Sequence, residues 1–446
     1  MIIIATSFFV FLNLSNTSKM KKIISVILLL TVTIALAQNK TILRCGKFVD
    51  VKKGTILNNI NIVIVGDRIE SVTDKKVTVG KNDTFLDLST KTVMPGLIDM
   101  HVHLEHETNP KQYLEEFTLN EADIAYRSVG YAEKTLLTGF TTVRDLGGTN
   151  VNIALRRAIN AELVAGPRVF TAGKSIASTG GHADPTNGYR SDLMGNPGPE
   201  SGVANGVDEC VKAVRQRYKD GSDLIKITAS GGVLSVAKSG ENSQFTIEEI
   251  QAIVSTANDY GFKVAAHCHG EEAMKRAVIG GVHSIEHGTY MSEAVMQLMK
   301  EHGTYLVPTV TAGKAVGQFA KIPNYYPEIV VPKALAIGPK IQNTFERAYK
   351  YGVKIAFGTD AGVFAHGDNW REFIYMHEVG MPFMEILKTA TLNASDLLGQ
   401  SENLGAIEKG KLADIIAVDG DPTKDIEVMG KVTFVMKGGK VYKNEK

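Results

Sequence analysis

The middle of this chain alternates short apolar runs with longer helical patterns, and this alternation restricts the fold more than any other feature. Strands are predicted at eight places: Val93–His101, Thr141–Arg144, Arg168–Ala172, Leu224–Thr228, Lys263–His267, Ser284–His287, Tyr305–Val307 and Lys354–Asp360. Helices are predicted at Ile153–Val164, Ile247–Tyr260, Glu271–Ile279, Ala294–His302, Pro332–Tyr351 and Pro382–Leu398. Repeated strand–helix units indicate an α/β fold with a parallel sheet, and eight strands predict a (β/α)8 barrel. An open doubly wound sheet is the alternative, but no Gly-x-Gly-x-x-Gly follows the first strand.

Both ends of the chain carry a different, purely β pattern. Short β-rich runs separated by turn dipeptides such as Gly66-Asp67 are typical of hairpins. We therefore predict a small β-sandwich domain in two parts, residues 38–95 and 396–446, around a barrel formed by residues 96–395.

The start of the chain, residues 1–37, is predicted to be a targeting segment. A basic pair precedes the apolar run Ile23–Ile34, which leads into the cleavage signal Ala35-Leu36-Ala37. The run is shorter than the roughly 18–20 residues that span a bilayer, so we expect export to the periplasm or medium and no stable membrane insertion after cleavage. Whether Met1 or Met20 is the start is left open.

Charge and cysteine content restrict the partners. The chain has 49 basic and 48 acidic residues and a formal net charge of +1, so nothing in its charge indicates nucleic-acid binding. Three cysteines cannot form a complete disulfide framework, and we predict that they are small buried hydrophobic residues.

A histidine pair closes the first predicted barrel strand. Side chains two residues apart on a strand share a face, so His101 and His103 can bind one metal ion. In such barrels the active site lies at the C-terminal ends of the strands. Other strands contribute further candidates there: Lys226, His267, His287 and Asp360. Each of these alone is more often a polar strand end or an ion-paired lysine, and their joint placement is what predicts a metal centre.

Lys226 has a particular role in this prediction. Two divalent cations bring four positive charges, and neutral imidazoles offset none of them. A lysine amine buried beside cations loses its proton and can then react with CO2. We predict that Lys226 becomes a carbamate that bridges the two metal ions.

Five sequence motifs resemble those of the amidohydrolase superfamily. They are Pro-Gly-Leu-Ile-Asp-Met-His-Val-His, Ile-Lys-Ile-Thr-Ala-Ser-Gly-Gly-Val-Leu-Ser, Val-Ala-Ala-His-Cys-His-Gly, Ile-Glu-His-Gly and Phe-Gly-Thr-Asp-Ala-Gly. Within the superfamily the chain is most similar to the binuclear-zinc group of Xaa-Pro and related dipeptidases, often labelled imidazolonepropionase-like. The resemblance implies two zinc ions in two ligand sets: His101, His103, Lys226 and Asp360 for one, and Lys226, His267 and His287 for the other.

Two further histidines are candidates for contact with substrate. His269 follows His267 on the same strand face, and some relatives carry Tyr at this place. His182 lies in a glycine-rich loop after the third predicted strand, where it can bind the scissile carbonyl.

The predicted reaction is hydrolysis of a carbon–nitrogen bond. A hydroxide held between two metal ions attacks the amide carbon, and Asp360 passes a proton to the leaving amine. The expected substrate is a dipeptide or an N-acyl amino acid with a free carboxylate, and a homo-oligomer is left open. The strand-to-helix loops that set specificity do not identify the substrate.

Two other functions remain as alternatives. Deaminases and cyclic-amide hydrolases related to this group place a Glu three residues after the fifth-strand histidine, whereas this chain has Gly270 there. A shifted frame would use His269 and Glu272, but Glu272 is predicted to lie on the following helix. The second alternative, from another class, is a non-catalytic exported binding protein on a barrel scaffold.

Overall fold

The computed structural model describes residues 39–445, so the predicted targeting segment, residues 1–37, lies outside the described residues. The strands are β1 (Lys40–Asp50), β2 (Thr55–Val65), β3 (Arg68–Thr73), β4 (Thr84–Pro95), β5 (Leu97–Val102), β6 (Phe140–Asp145), β7 (Arg168–Thr171), β8 (Ile225–Thr228), β9 (Val264–Cys268), β10 (Ser284–His287), β11 (Tyr305–Val307), β12 (Ile415–Asp419), β13 (Val432–Lys437) and β14 (Lys440–Asn444). The helices are α1 (Gln112–Thr118), α2 (Glu121–Leu137), α3 (Val151–Asn160), α4 (Ser191–Met194), α5 (Gly206–Asp220), α6 (Ile247–Asp259), α7 (Glu271–Ile279), α8 (Glu293–His302), α9 (Val310–Phe319), α10 (Val331–Tyr351), α11 (Arg371–Glu378), α12 (Phe383–Lys388) and α13 (Ala394–Leu398). Among the residues described, no helix is both long and apolar enough to cross a bilayer.

The barrel strands form two parallel sheets, β5-β6-β7 and β8-β9-β10-β11. Between β7 and β8, a single bridge joins Ile176 to Ile227. Helices follow most of the strands and cover the outside, as the alternation in the sequence predicts. The fold class, a (β/α)8 barrel with a small β domain built from both ends of the chain, is confirmed.

The eighth predicted strand, Lys354–Asp360, is wrong as a regular strand. The segment forms only isolated bridges, Ile355 with Leu306 of β11 and Ala361 with Val102 of β5. Its backbone turns left-handed at Asp360, where φ is 62°, and this conformation interrupts the extended pairing pattern. The segment nevertheless lies between β11 and β5, where the missing barrel strand would lie.

The last predicted helix, Pro382–Leu398, is also interrupted. It divides into α12, a π-helical turn at Thr389–Asn393 and α13. The Thr389 carbonyl accepts a hydrogen bond from Phe357 N (3.0 Å), and Asn393 Nδ2 donates to the Ile355 carbonyl (2.8 Å). These bonds tie the irregular helix to the irregular eighth segment, so the two departures from the prediction are one structural feature.

The small β domain is one seven-stranded sheet in the order β14-β13-β12-β4-β1-β2-β3, which mixes strands from both ends of the chain. Arg68, at the start of β3, forms a bridge with Leu412, just before β12, so the sheet closes over its own apolar interior. That interior contains Leu43, Ile62, Ile69, Ile415 and Phe434, each at most 1% exposed. Cys45, Cys210 and Cys268 are buried and free, as predicted.

Gly96 is the junction between the two parts of the fold. It lies between the end of β4, in the small sheet, and the start of β5, in the barrel. Its N–H donates to the Asp414 carbonyl at 2.9 Å. A Cβ atom at this position would overlap the Thr141 side chain, and β-branched Thr has little freedom to move away.

We expect Gly96→Ala to lower the free energy of unfolding by about 1–3 kcal/mol, because the added methyl forces the sheets apart at their junction. The matched control is Gly130→Ala on α2, where a Cβ meets no atom within 4 Å. This control is expected to stabilise the protein by up to about 1 kcal/mol through helix propensity. Urea titration of both variants measures the difference, and equal effects would contradict this account of Gly96.

Candidate active site

The first group of predicted metal ligands meets around one carboxylate oxygen. Asp360 Oδ1 lies 3.5 Å from His101 Nε2 and 3.2 Å from His103 Nε2. Lys226 Nζ, which β8 contributes, lies 3.4 Å from His101 Nε2. Three chain segments that are far apart in sequence therefore place these four side chains together at the C-terminal end of the barrel.

The second group adjoins the first through His287. The ligand atoms of His267, His269 and His287 lie within 4.8 Å of one another, and so do those of His101, His287 and Asp360. The structure thus brings all six predicted metal ligands together. It also places His269, predicted to contact substrate, close enough to His267 and His287 to share a metal ion with them.

Each imidazole in this cluster has one ring nitrogen engaged by an outer partner. The pairs are His101 Nδ1 with Glu286 Oε2 (2.9 Å), His103 Nδ1 with the Gly147 carbonyl (3.0 Å), His267 Nε2 with the Gly231 carbonyl (3.0 Å), His269 Nδ1 with Thr289 Oγ1 (2.8 Å) and His287 Nδ1 with Thr309 Oγ1 (2.7 Å). Outer bonds of this kind set the ring orientation and leave the second nitrogen to bind a ligand.

Left-handed backbone at two of these residues allows their placement. Glu286 and His287 are neighbours on β10, where regular alternation would put their side chains on opposite faces. Both nevertheless contact His101, because φ at His287 is 70°. Asp360 has φ of 62°. Such conformations are costly for residues other than glycine and cluster at functional sites.

Burial sets the protonation of the site. It lowers the pKa of His101 to about 4 and that of His287 well below the usual value, so both rings are neutral near pH 7. Burial also lowers the pKa of Lys226, to about 8. For Asp360, burial acts in the opposite direction, but His101 and His103 outweigh it and lower the pKa to about 2. Neutral imidazoles and an ionised carboxylate are the forms that bind divalent metals.

His182 enters this cluster from the loop after β7. Its ring lies 4.4 Å from that of His267 between centroids, and its backbone N–H donates to Gln244 Oε1 at 2.8 Å. Gly232 provides the room, since a Cβ at that position would overlap the imidazole. Within the described residues, the buried Nδ1 of His182 has no hydrogen-bond partner. The ring therefore packs against Gly232, and its Nδ1 is buried without a partner among the residues described.

A buried ion pair that was not predicted from the sequence lies beneath the cluster. Arg144 on β6 donates from Nη2 to Glu286 Oε1 at 2.7 Å and from Nε to the Met100 carbonyl at 2.6 Å. Burial opposes the charge of Glu286, but Arg144 outweighs it, and the pKa falls to about 2. The available signal was one long charged residue inside each of two short, fully buried strands, Arg144 in β6 and Glu286 in β10.

The geometry argues against the shifted frame of the deaminase alternative. Glu272 lies on α7, as predicted, with its side chain 62% exposed and paired to Arg276 at 2.9 Å. Gly270 packs so closely against the backbone of Glu241 that a side chain at this position would overlap it. No carboxylate therefore reaches the cluster from residue 270 or 272.

We expect Arg144→Met to lower the free energy of unfolding by about 3–5 kcal/mol, because it leaves the Glu286 carboxylate buried without its cation. The control is Arg190→Met, whose pair with Asp192 is exposed at both side chains; its removal should leave stability unchanged. Urea titration measures both, and a small effect for Arg144→Met would mean that Glu286 is not held as a buried anion.

Comparison with known proteins shows the family to which the chain belongs. A crystal structure of a Xaa-Pro dipeptidase with bound methionine in the active site matches with a TM-score of 0.89 and 51% identity, covering 91% of this chain and 100% of that one. A prolidase complexed with N-methylphosphonate-L-proline matches with a TM-score of 0.84 and 34% identity, over 91% and 100% of the two chains. Ochratoxinase from Aspergillus niger is 32% identical over 412 residues, 87% of this chain and 84% of that protein. The sequence pattern of the amidohydrolase family matches residues 92–442, and this chain therefore belongs to that family of hydrolases acting on carbon–nitrogen bonds.

Proposed function

We propose that this protein is an exported two-metal dipeptidase that hydrolyses the amide bond of a dipeptide or an N-acyl amino acid with a free carboxylate. The observation that carries the proposal is the cluster of five histidines with Lys226 and Asp360, in which each imidazole has one ring nitrogen held by an outer partner. The 51% identity to a Xaa-Pro dipeptidase supports a dipeptide substrate. Export rests on the sequence of residues 1–37 alone.

The donor set fits two divalent ions. In our proposal His101, His103, Lys226 and Asp360 hold one ion, and Lys226, His267 and His287 hold the other. The support is the low pKa of His267 and His287, which keeps these two rings neutral near pH 7, together with the outer hydrogen bonds of the histidines. A bound pair of divalent ions, zinc in this proposal, polarises the scissile carbonyl and lowers the pKa of water.

Lys226 is proposed to bridge the two ions as a carbamate. Lys226 is 3% exposed, and burial lowers its pKa to about 8, so about one tenth of its amine is neutral at pH 7. A neutral amine attacks CO2 and loses a proton to give an anion with two oxygens. That anion adds negative charge to a site in which the imidazoles contribute none.

The remaining steps belong to side chains of this chain. Asp360 faces both His101 and His103 through Oδ1, and its second oxygen takes the proton of the attacking water and delivers it to the leaving amine. The available Nδ1 of His182 binds the carbonyl oxygen. His269 contacts the substrate from beside His267.

We expect zinc-loaded protein to hydrolyse Xaa-Pro dipeptides and to lose most of this activity when the C-terminal carboxylate is converted to an amide. Asp360→Asn should lower kcat by about 10²–10⁴-fold, because the amide cannot carry the proton. Steady-state kinetics measures both, with the released N-terminal amino acid, which is the same product from the acid and the amide, quantified by chromatography. The control is Asp368→Asn, in an exposed pair with Arg371.

The proposal fails if a broad panel of dipeptides and N-acyl amino acids gives no turnover, since that result would favour the non-catalytic binding protein. Hydrolysis or deamination of cyclic amides in place of dipeptides would favour the imidazolonepropionase type. Near-full activity of Asp360→Asn would remove its role in proton transfer.

We expect Lys226→Ala to lower kcat at least 10²-fold. A short carboxylate such as propionate can occupy the space of the missing carbamate, and adding it should restore part of the lost kcat. Lys354→Ala, an exposed lysine on the eighth barrel segment, is the control. In the unmodified chain, ¹³C-bicarbonate should give a carbamate signal in the ¹³C NMR spectrum that Lys226→Ala lacks. Full activity of Lys226→Ala, or an identical spectrum, would contradict the bridge.

A further inference from the structure

A cavity of about 340 Å³ lies at the end of the barrel opposite the histidine cluster. Its lining includes Leu224, which precedes β8, and Lys263, which precedes β9. Barrel strands are parallel, so residues before their first positions lie at the other end from His267 and His287. We call this space the rear cavity.

The walls of the rear cavity are polar and apolar in similar measure. The apolar part is formed by Phe170, Leu224, Tyr260, Phe262, Leu397 and Leu398. At the edge, Tyr260 stacks on Tyr218 with ring centroids 4.2 Å apart, which extends the aromatic surface outward. A volume of this size falls at the lower end of the range of small-molecule sites.

Among the residues described, Lys263 is the one cation lining the rear cavity whose charge is not already paired. Arg144 also lines it, but its guanidinium is paired with Glu286 at 2.7 Å. The carboxylate of Asp223 also lines it, but it accepts hydrogen bonds from Arg156 and from the Thr171 N–H. Asp223 is thus already balanced by a cation outside the cavity lining.

Lys263 retains donors. Within the described residues, Lys263 Nζ has one acceptor, the Asp396 carbonyl at 2.9 Å, whereas an ammonium carries three N–H groups. Burial lowers the pKa of Lys263, Asp396 raises it, and Arg144 lowers it. A carboxylate placed beside Lys263 would complete the hydrogen bonding of its ammonium.

We propose that the rear cavity binds a small carboxylate with an apolar body, with its charge on Lys263 and its ring or alkyl chain against Phe262 and Leu397. The cavity supplies both parts of such a ligand with complementary surface: the Lys263 ammonium for the carboxylate, and aromatic and aliphatic side chains for the apolar body. This site is separate from the histidine cluster, so the inference stands whether or not the chain is a dipeptidase.

Isothermal titration of the metal-loaded protein with 3-phenylpropionate, and with the neutral 3-phenylpropanol, tests the proposal. We expect the carboxylate to bind saturably and the alcohol to bind at least 10-fold more weakly. Lys263→Met should weaken carboxylate binding by about 10–100-fold, because one charge-assisted hydrogen bond is lost. Lys263→Arg should keep most of the affinity, and Lys354→Met, outside the cavity, should keep all of it.

A second variant guards against a folding effect of the first. Leu398→Trp fills the rear cavity and should abolish binding while retaining a cooperative thermal transition. The proposal is overturned if the alcohol binds as well as the acid, if no saturable binding occurs, or if Lys263→Met and Leu398→Trp both bind 3-phenylpropionate as tightly as the unchanged chain. If both variants bind as tightly as the unchanged chain, and active-site ligands compete with 3-phenylpropionate, then the carboxylate binds in the histidine cluster instead.

Discussion

The ion pair between Arg144 and Glu286 lies inside the barrel and links the two ends of the barrel. Toward the C-terminal end, Glu286 holds Nδ1 of His101 at 2.9 Å and so aims the other nitrogen at Asp360. Toward the N-terminal end, Arg144 lines the rear cavity. Desolvating two charges costs several kcal/mol per ion, so such a pair is a weak source of net stability. We therefore interpret it as a device that positions the histidine cluster.

The candidate metal ligands could be predicted from sequence because each lies on or beside a barrel strand. A strand alternates its side chains with a period of two, and parallel strands bring their C-terminal ends to one rim. Two rules therefore place His101, His103, His267 and Asp360 together without any knowledge of their contacts. A different signal, the turn dipeptide Gly66-Asp67, predicted the hairpin that the structure has between β2 and β3.

Features that depend on contacts between distant residues could not be predicted. Arg144 and Glu286 are 142 positions apart, and nothing local to either identifies the other. The eighth barrel segment looks like a strand by composition, yet the left-handed conformation of Asp360 and the bonds from Thr389 and Asn393 determine its shape. The closeness of His269 to the ligand cluster depends likewise on Thr289, which holds one of its ring nitrogens.

The central claim is that this cluster of side chains holds two metal ions, and the metal content of the purified protein tests it most directly. Inductively coupled plasma mass spectrometry, calibrated by amino-acid analysis, gives the number of ions per chain in protein produced with zinc and bicarbonate in the medium. The account predicts two divalent ions per chain, with zinc the principal metal. One ion per chain, or none, would contradict it.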